Sequence, residues 1–407
     1  MDNFSRLEAS EHYKRAMALE RAGRIAEALA EYRRAIDVDP GFAAAYQALG
    51  YHYQRRGLLT KAADAFQTVA RLEDHYGAHF NLGFLLVELE RYDEALDAFR
   101  QCLVLMPDDP AALYEIAYIQ YIQGQLNASL ATLQGLQEAP GYDWRVPNLE
   151  GACYLGLEDW PVAEAKYRQS LRFATLSTEF TEAGVGLQVA LRYQEFPPGM
   201  PLGLKERVYA DDGVIALGTA GDDGLQIPFR ENFSSHPAVL AVTLRRLQAV
   251  VEGLELDLTM VAAVDRESVS LAAAIGSLLA LPCKRRSQLS SDERALLVLL
   301  AGRQPELLQV AIEQSPQWTR SFVFALSWYG EGDILPDIIG VPVQQFPPPE
   351  KPPRDQGQVS LAARVLLDAC AATADEPTRA AQVQFYQQHH RLRCLHPALQ
   401  LSPNQVE

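Results

Sequence analysis

The chain has 407 residues, 48% hydrophobic and 22% charged, enough for two or three domains with sizeable cores. Its formal net charge of −16 argues against nucleic acid or an anionic membrane as the main partner, since both demand a concentrated basic surface. Five dispersed cysteines without a CxxC pair argue against a disulfide framework and read as buried thiols of a reducing compartment. No apolar run reaches the length of about 18 residues that a membrane span needs. The polar start Met1-Asp2-Asn3-Phe4 reads as the beginning of a helix rather than a signal peptide, so a cytoplasmic location is expected.

In chain order, the first organised stretch is a repeat over residues 10–170. Small residues Ala16, Gly50, Gly83, Ala117 and Gly151 recur at steps of 34, 33, 34 and 34. Twelve residues after each marker stand Ala28, Ala62, Ala95, Ser129 and Ala163, and four further on Tyr32, Phe66, Phe99, Leu133 and Tyr167. Pro40 and Pro107 close two units, and Pro140 closes another one residue early. Small, small, aromatic and proline at these offsets resemble the tetratricopeptide repeat. The resemblance implies two antiparallel helices per unit, helix A at 10–22 and helix B at 25–38 in the first. Gly23, Gly57 and Gly124 fall where helix A must stop. The aromatic on helix B is expected to fill the gap to the next helix A. One unit cannot bury its own apolar face, so units stack into a solenoid with a concave groove. Residues 177–194, followed by Phe196-Pro197-Pro198, read as the capping helix.

In this family the groove is lined from helix A. Carried over position by position, the lining is Tyr13 and Met17 in the first unit and Gln47, Tyr51 and Gln54 in the second. The third supplies Phe80, Phe84 and Val87, the fourth Tyr114, Tyr118 and Tyr121, and the fifth Asn148 and Ala152. The Lys and Asn with which relatives clamp a C-terminal carboxylate are absent, since Tyr13 and Met17 occupy the places of the first pair. An aromatic lining implies an apolar segment of a partner, extended or helical, with tyrosine hydroxyls meeting its polar groups. The other reading is that individual rings pack helix A against its neighbour, because aromatics at helical spacing are more often core. The sequence leaves both open.

Past Pro201 the periodicity changes. Apolar runs at 207–210, 213–218 and 224–228 are separated by Asp211-Asp212-Gly213 and Gly221-Asp222-Asp223-Gly224, and their Asp-Gly pairs signal hairpin turns. A helix follows at 238–253, a buried parallel strand at 258–264 and a helix at 268–279. Strands at 295–300, 321–328 and 338–343 and a helix at 304–314 complete the alternation, which implies an α/β unit with a mainly parallel sheet. Residues 261–282, VAAVDRESVSLAAAIGSLLALP, resemble the strand–loop–helix of type I phosphoribosyltransferases. Arg266 matches the family's basic residue, while Glu267 and Ser268 replace two glycines. The resemblance places the ribose-binding acidic pair and the phosphate loop within 295–306. There Leu299 and Leu300, or Leu300 and Ala301, stand for the acids, and Gly302-Arg303-Gln304-Pro305 for the loop. It therefore implies a degenerate, non-catalytic domain with a vestigial phosphate site at Arg266, Gly302 and Arg303. An unrelated α/β domain of the same strand–helix order is the other reading.

Residues 346–353, FPPPEKPP, favour polyproline II and read as a stiff linker, or as a segment able to lie in an aromatic groove. Helices are expected at 359–372 and 376–395. His389, His390, Cys394 and His396 lack the spacing of a zinc set and read as a solvated helix end. Ser234-Ser235-His236 has no elbow motif around it, and neither a P-loop nor GxGxxG occurs.

The sequence thus describes a multi-domain α and α/β chain. A repeat solenoid with its cap covers 1–198, a small α/β domain 199–345, a proline-rich linker 346–358, and C-terminal helices 359–407. The expected function is a non-enzymatic scaffold or adaptor that binds another protein in a groove lined by Tyr13, Met17, Tyr51, Phe80, Phe84, Tyr114, Tyr118 and Tyr121, without cofactor, metal or nucleic acid. The alternative is a phosphoribosyltransferase-related enzyme, or a nucleotide or phosphoribose sensor regulated through the repeats. The oligomeric state is not readable from the sequence.

Overall fold

The computed structural model describes residues 3–136, 143–232, 234–316, 318–327, 334–346, 355–373, 377–389 and 391–395. The chain divides into two compact units, Met1–Ala183 and Gly184–Gln405, and the division falls inside the helix Ser177–Tyr193.

The first unit is a run of helix pairs: α1 (Asn3–Arg21) with α2 (Ile25–Val38), α3 (Ala43–Arg55) with α4 (Leu59–Leu72), and α5 (Tyr76–Glu88) with α6 (Tyr92–Leu105). Then come α7 (Pro110–Ile122) with α8 (Leu126–Gln134), α9 (Arg145–Gly156) with α10 (Trp160–Phe173), and the start of α11 (Ser177–Tyr193). Each second helix also packs on the first helix of the next pair, which is the stacking that buries the repeat's apolar faces. Helix α1 begins two turns earlier than expected. The A-to-B turns take the left-handed conformation at Gly23, Gly57 and Gly124 (φ 73°, 68° and 73°), and Glu90 and Glu158 adopt it in the third and fifth pairs (φ 59° and 61°).

The rings Phe66 and Phe99 on helix B share one core cluster with Leu82, Leu85 and Leu86 of α5 and Ala112, Ile116 and Ile119 of α7. Each also lies over the small residue of its own pair. A Cβ built on Gly50 would stand 2.8 Å from Phe66, one on Gly83 2.8 Å from Phe99, and one on Gly151 3.1 Å from Tyr167. Fully buried Phe66 and Phe99 thus occupy the volume vacated by the missing side chain. In the fourth pair Ser129 replaces alanine, and its hydroxyl donates to the Ala117 carbonyl at 2.8 Å.

The second unit is built on a parallel sheet. Its strands are β1 (Ile215–Ala216), β2 (Arg230–Asn232), β3 (Met260–Ala263), β4 (Cys283–Arg285), β5 (Ala295–Gly302), β6 (Arg320–Leu326) and β7 (Ile338–Gln345). The order is β1-β7-β6-β5-β3-β4, with β2 also beside β7, and every pairing is parallel. Helices α13 (Pro237–Gly253), α14 (Val269–Leu278), α16 (Gln356–Ala372) and α17 (Pro377–Gln388) pack on one another. Alternate strand residues point to opposite faces, so Ala262 and Leu297 meet Ala311 of α15 (Pro305–Glu313) while Val261 and Leu296 join the main core. That core also takes Leu366 and Cys370 from α16 and Tyr386 from α17, whose hydroxyl bonds Ala216 N and O at 2.8 Å each.

The expected hairpins are absent among the described residues. Residues 207–210 lie within a helix, α12 (Leu204–Asp212), which Gly213 closes in the left-handed conformation (φ 66°). The run 213–218 holds β1, whose partner is the distant β7. Of the proline-rich segment only Phe346 lies within the described residues.

Arg246 and Lys205 are almost wholly buried in this unit. Arg246 meets Asp222 at 2.9 Å and donates to the carbonyls of Leu217, Thr219 and Asp222. Lys205 donates to the Gly224 carbonyl at 2.6 Å and lies over Phe385 and Tyr386 at 5.0 and 4.6 Å. Burial lowers its pKa to about 7. Of the five cysteines, Cys102, Cys153, Cys370 and Cys394 are buried and Cys283 is exposed.

Candidate functional site

The A-helices α1, α3, α5, α7 and α9 carry the predicted groove residues, and the structure sorts them by exposure. Tyr51, Phe84 and Tyr118 are 41%, 39% and 37% exposed. Each directly follows the small marker of its helix, so the three recur at one position of successive pairs. The marker must point inward beneath its ring, and the next residue, about 100° round the helix, then points outward. Met17 and Ala152 hold the same position in the first and fifth pairs and are half-buried.

The other predicted rings are half-buried and pack against neighbouring side chains, most of them in their own helix pair. Tyr13 lies 5.6 Å from Tyr32 and 5.5 Å from Phe42. Phe80 stacks on Tyr76 and meets Phe99 edge-on, both at 5.5 Å. Tyr114 carries the Arg145 guanidinium at 5.2 Å, and burial raises its hydroxyl above the ordinary value. Tyr121 packs with Ala117 and Leu133, and Val87 joins the core around Phe99.

Tyr13, Met17, Gln47, Tyr51 and Gln54 line one open cavity of about 590 Å³ between α1 and α3. Its floor is fastened by Glu20, which accepts from Tyr32 Oη at 2.8 Å and Arg55 Nη2 at 2.9 Å. The Tyr32 bond, followed by Arg55, holds the Glu20 carboxyl below the usual range. Chemically this is a mixed trough, lined by rings and Met17 together with Glu20, Arg21, Arg55 and the amides of Gln47 and Gln54, able to hold a chain segment and bond its peptide groups. Glu20 and Arg55 escaped the sequence reading because they lie outside the family's groove positions.

Farther along, Tyr118 stands near two acids that sequence reasoning also missed. Glu115 precedes it by three residues on α7, so both share a helix face. Burial holds the Glu115 carboxyl above its usual range, against the pull of Arg145. Asn148 Nδ2 donates to Glu182 at 2.9 Å, while its Oδ1 is buried without a donor.

In the second unit, Arg266, Gly302 and Arg303 do not form a phosphate cradle. Asp265 Oδ1 accepts from Ser268 N at 2.8 Å and Ser268 Oγ at 2.5 Å, placing a carboxylate at the start of α14 where an anion would sit. Ser268 Oγ accepts from Leu300 N at 2.9 Å. Arg303 is paired with Glu267 at 3.0 Å and lies 5.1 Å from the Phe346 ring. The Gly302 carbonyl accepts from Ser327 N and Oγ, and Arg266 is exposed. The likeness to phosphoribosyltransferases finds no support in this geometry. The helix end read as solvated is also corrected in part. His389 stacks between Phe385 and Phe196 at 4.2 and 4.8 Å, and Cys394 is buried, whereas His390 and His396 lie outside the described residues. No described helix is long and apolar enough to cross a membrane.

Comparison with known proteins bears on the first unit. One tetratricopeptide repeat model matches residues 13–76 and another residues 76–109. Among solved structures, YrrB, described as a TPR protein with an unusual peptide-binding site, is 20% identical over 46% of this chain and 91% of its own, with TM-score 0.39. PilW, a type IV pilus biogenesis factor, is 19% identical over 47% and 87%, with TM-score 0.38. A thermophilic TPR protein of Thermus thermophilus, TTC0263, is 18% identical over 44% and 98%, with TM-score 0.34. No curated protein matches the chain. Residues 13–109 carry tetratricopeptide repeats.

Proposed function

We propose that this protein is a non-enzymatic scaffold that binds an apolar segment of another protein along the A-helix groove of its repeats. The single observation that carries the reading is the ladder Tyr51, Phe84 and Tyr118, three large rings left open to water at one position of the first helices of three successive pairs. Exposed aromatics are common singly, but a periodic row beside an open trough offers a surface that a partner would dehydrate. Gln47 and Gln54 supply peptide-bonding groups in the lining of the trough. The α/β unit serves as an accessory module in this reading, and the chain works in the cytoplasm. The test is cross-linked affinity capture from native lysate with the intact chain and a Tyr51→Ala/Phe84→Ala/Tyr118→Ala variant. These rings are chosen over half-buried Tyr114 and Tyr121 because their removal leaves the core filled. A protein captured by the intact chain and lost with the folded variant supports the reading, and equal capture by both overturns it.

A further inference from the structure

One position of the repeat breaks its own rule in the second pair. Two residues after the small marker stand Ala18, His52, Leu85, Ile119 and Cys153. Leu85, Ile119 and Cys153 are fully buried, whereas Ala18, which has no pair before it, is exposed. The position therefore faces the preceding pair, and in the second pair a titratable side chain fills it. His52 is 8% exposed, and its Nε2 is buried without a hydrogen-bond partner among the described residues.

The surroundings suit a neutral ring and not a charged one. Arg55 ends α3 and Arg56 follows it, three and four residues after His52 and so on its side of the helix. From α2, Arg33 reaches the Tyr53 hydroxyl at 3.5 Å, and the Tyr53 ring stands 6.5 Å from that of His52. From α1, Glu20 is the acid that acts on His52, but its two oxygens already accept from Tyr32 at 2.8 Å and Arg55 at 2.9 Å. Burial, then the charges of Arg56 and Arg55, hold His52 below the ordinary histidine value against the pull of Glu20. Neutral, the ring costs one unmade bond; protonated, it is a buried cation without a partner, which water outside the interface would serve far better.

We propose that His52 is a proton-operated latch on the first repeat: neutral, it lets α1 and α2 dock on α3, and on protonation it releases them and takes apart the trough between α1 and α3. Undocked, the ring regains its ordinary value and binds protons more readily than when docked. Docking is then fully present above about pH 6.5 and is lost as pH falls towards the docked value. That release also frees a partner rests on the groove being the binding surface, whereas the latch itself does not.

The test is hydrogen exchange of the full chain at about pH 7.5 and pH 5, resolved by helix and corrected for the intrinsic pH dependence of exchange. Protection of α1 and α2 should fall by about fivefold or more relative to α5 and α6. His52→Ala, after the residue of the first pair, and His52→Leu, after that of the third, should abolish the drop, and each reports should the other pack poorly. His12, which meets Glu31 at 2.7 Å between α1 and α2, is common to all three proteins, so any contribution from it cancels. Unchanged protection in the natural chain, a drop that persists in both variants, or a loss shared equally by α5 and α6 overturns the latch. None of these outcomes touches groove binding, which stands or falls by its own capture experiment.

Discussion

Gly83 shows how little freedom the repeat leaves a single side chain. A Cβ there would lie 2.8 Å from Phe99, itself fully buried, so the ring has nowhere to yield. Gly83→Val should therefore lower stability by about 1–3 kcal/mol in a urea titration, the usual cost of overpacking, and an unchanged midpoint would contradict the packing described. Lys205 offers the opposite case, a residue whose removal should help. Burial brings its pKa from the ordinary 10.5 to about 7, so between those values the unfolded chain binds more protons than the folded one. Stability should then rise with pH across that window, and the penalty is fully present at pH 7 and below. Lys205→Met keeps the stem over Phe385 and Tyr386, and Gln382 Nε2 still donates to the Gly224 carbonyl at 2.8 Å. Thermal melts should show the variant more stable at pH 7, with about 2–4 °C per kcal/mol gained, and should show a flatter dependence towards pH 10. A variant that melts lower at pH 7 would mean the ammonium stabilises the fold.

At the scale of elements, helices whose period is written in small and aromatic residues were legible, and so were the turns at Gly23, Gly57 and Gly124. The run after Pro201 misled because Asp-Asp-Gly serves a hairpin and a helix end alike. Gly213 closes α12, and β1 finds its partner in β7, far along the chain, which no local pattern reports. Strands β2 and β4 are short, and β4 is exposed throughout, so neither carries an alternation to read. The division of the A-helix rings between exposed and packed was not legible, because that depends on which neighbour each ring meets. Glu115 became visible only once its surroundings were known. The strand–helix order around β3, α14 and β5 was readable too, but the chemistry suggested for it was not, since Asp265 occupies the start of α14 and Arg303, in the loop before α15, is paired with Glu267. Phosphoribosyl pyrophosphate with Mg²⁺ should accordingly leave the melting temperature unchanged. A bound ligand at a hundredfold excess over its Kd would add about 2.7 kcal/mol, well within detection.

For the whole molecule, the excess of acid governs how partners arrive. A net charge of −16 sets up a field that salt screens over about 10 Å at 0.1 M. Association with a basic-residue peptide should slow several-fold between about 0.05 and 0.5 M salt while dissociation changes less, as stopped-flow fluorescence would show. Faster association at high salt would point to a guest of the opposite sign. The cysteines have a use of another kind. Four lie in the interior, with the thiols of Cys102 and Cys394 pushed up to about 12, and Cys283 alone stands at the surface. A maleimide dye added to the folded protein should couple once per molecule. The natural chain thus comes with its own attachment point on β4, in the unit that does not carry the groove, ready for tethering or for following binding by fluorescence without engineering a single residue.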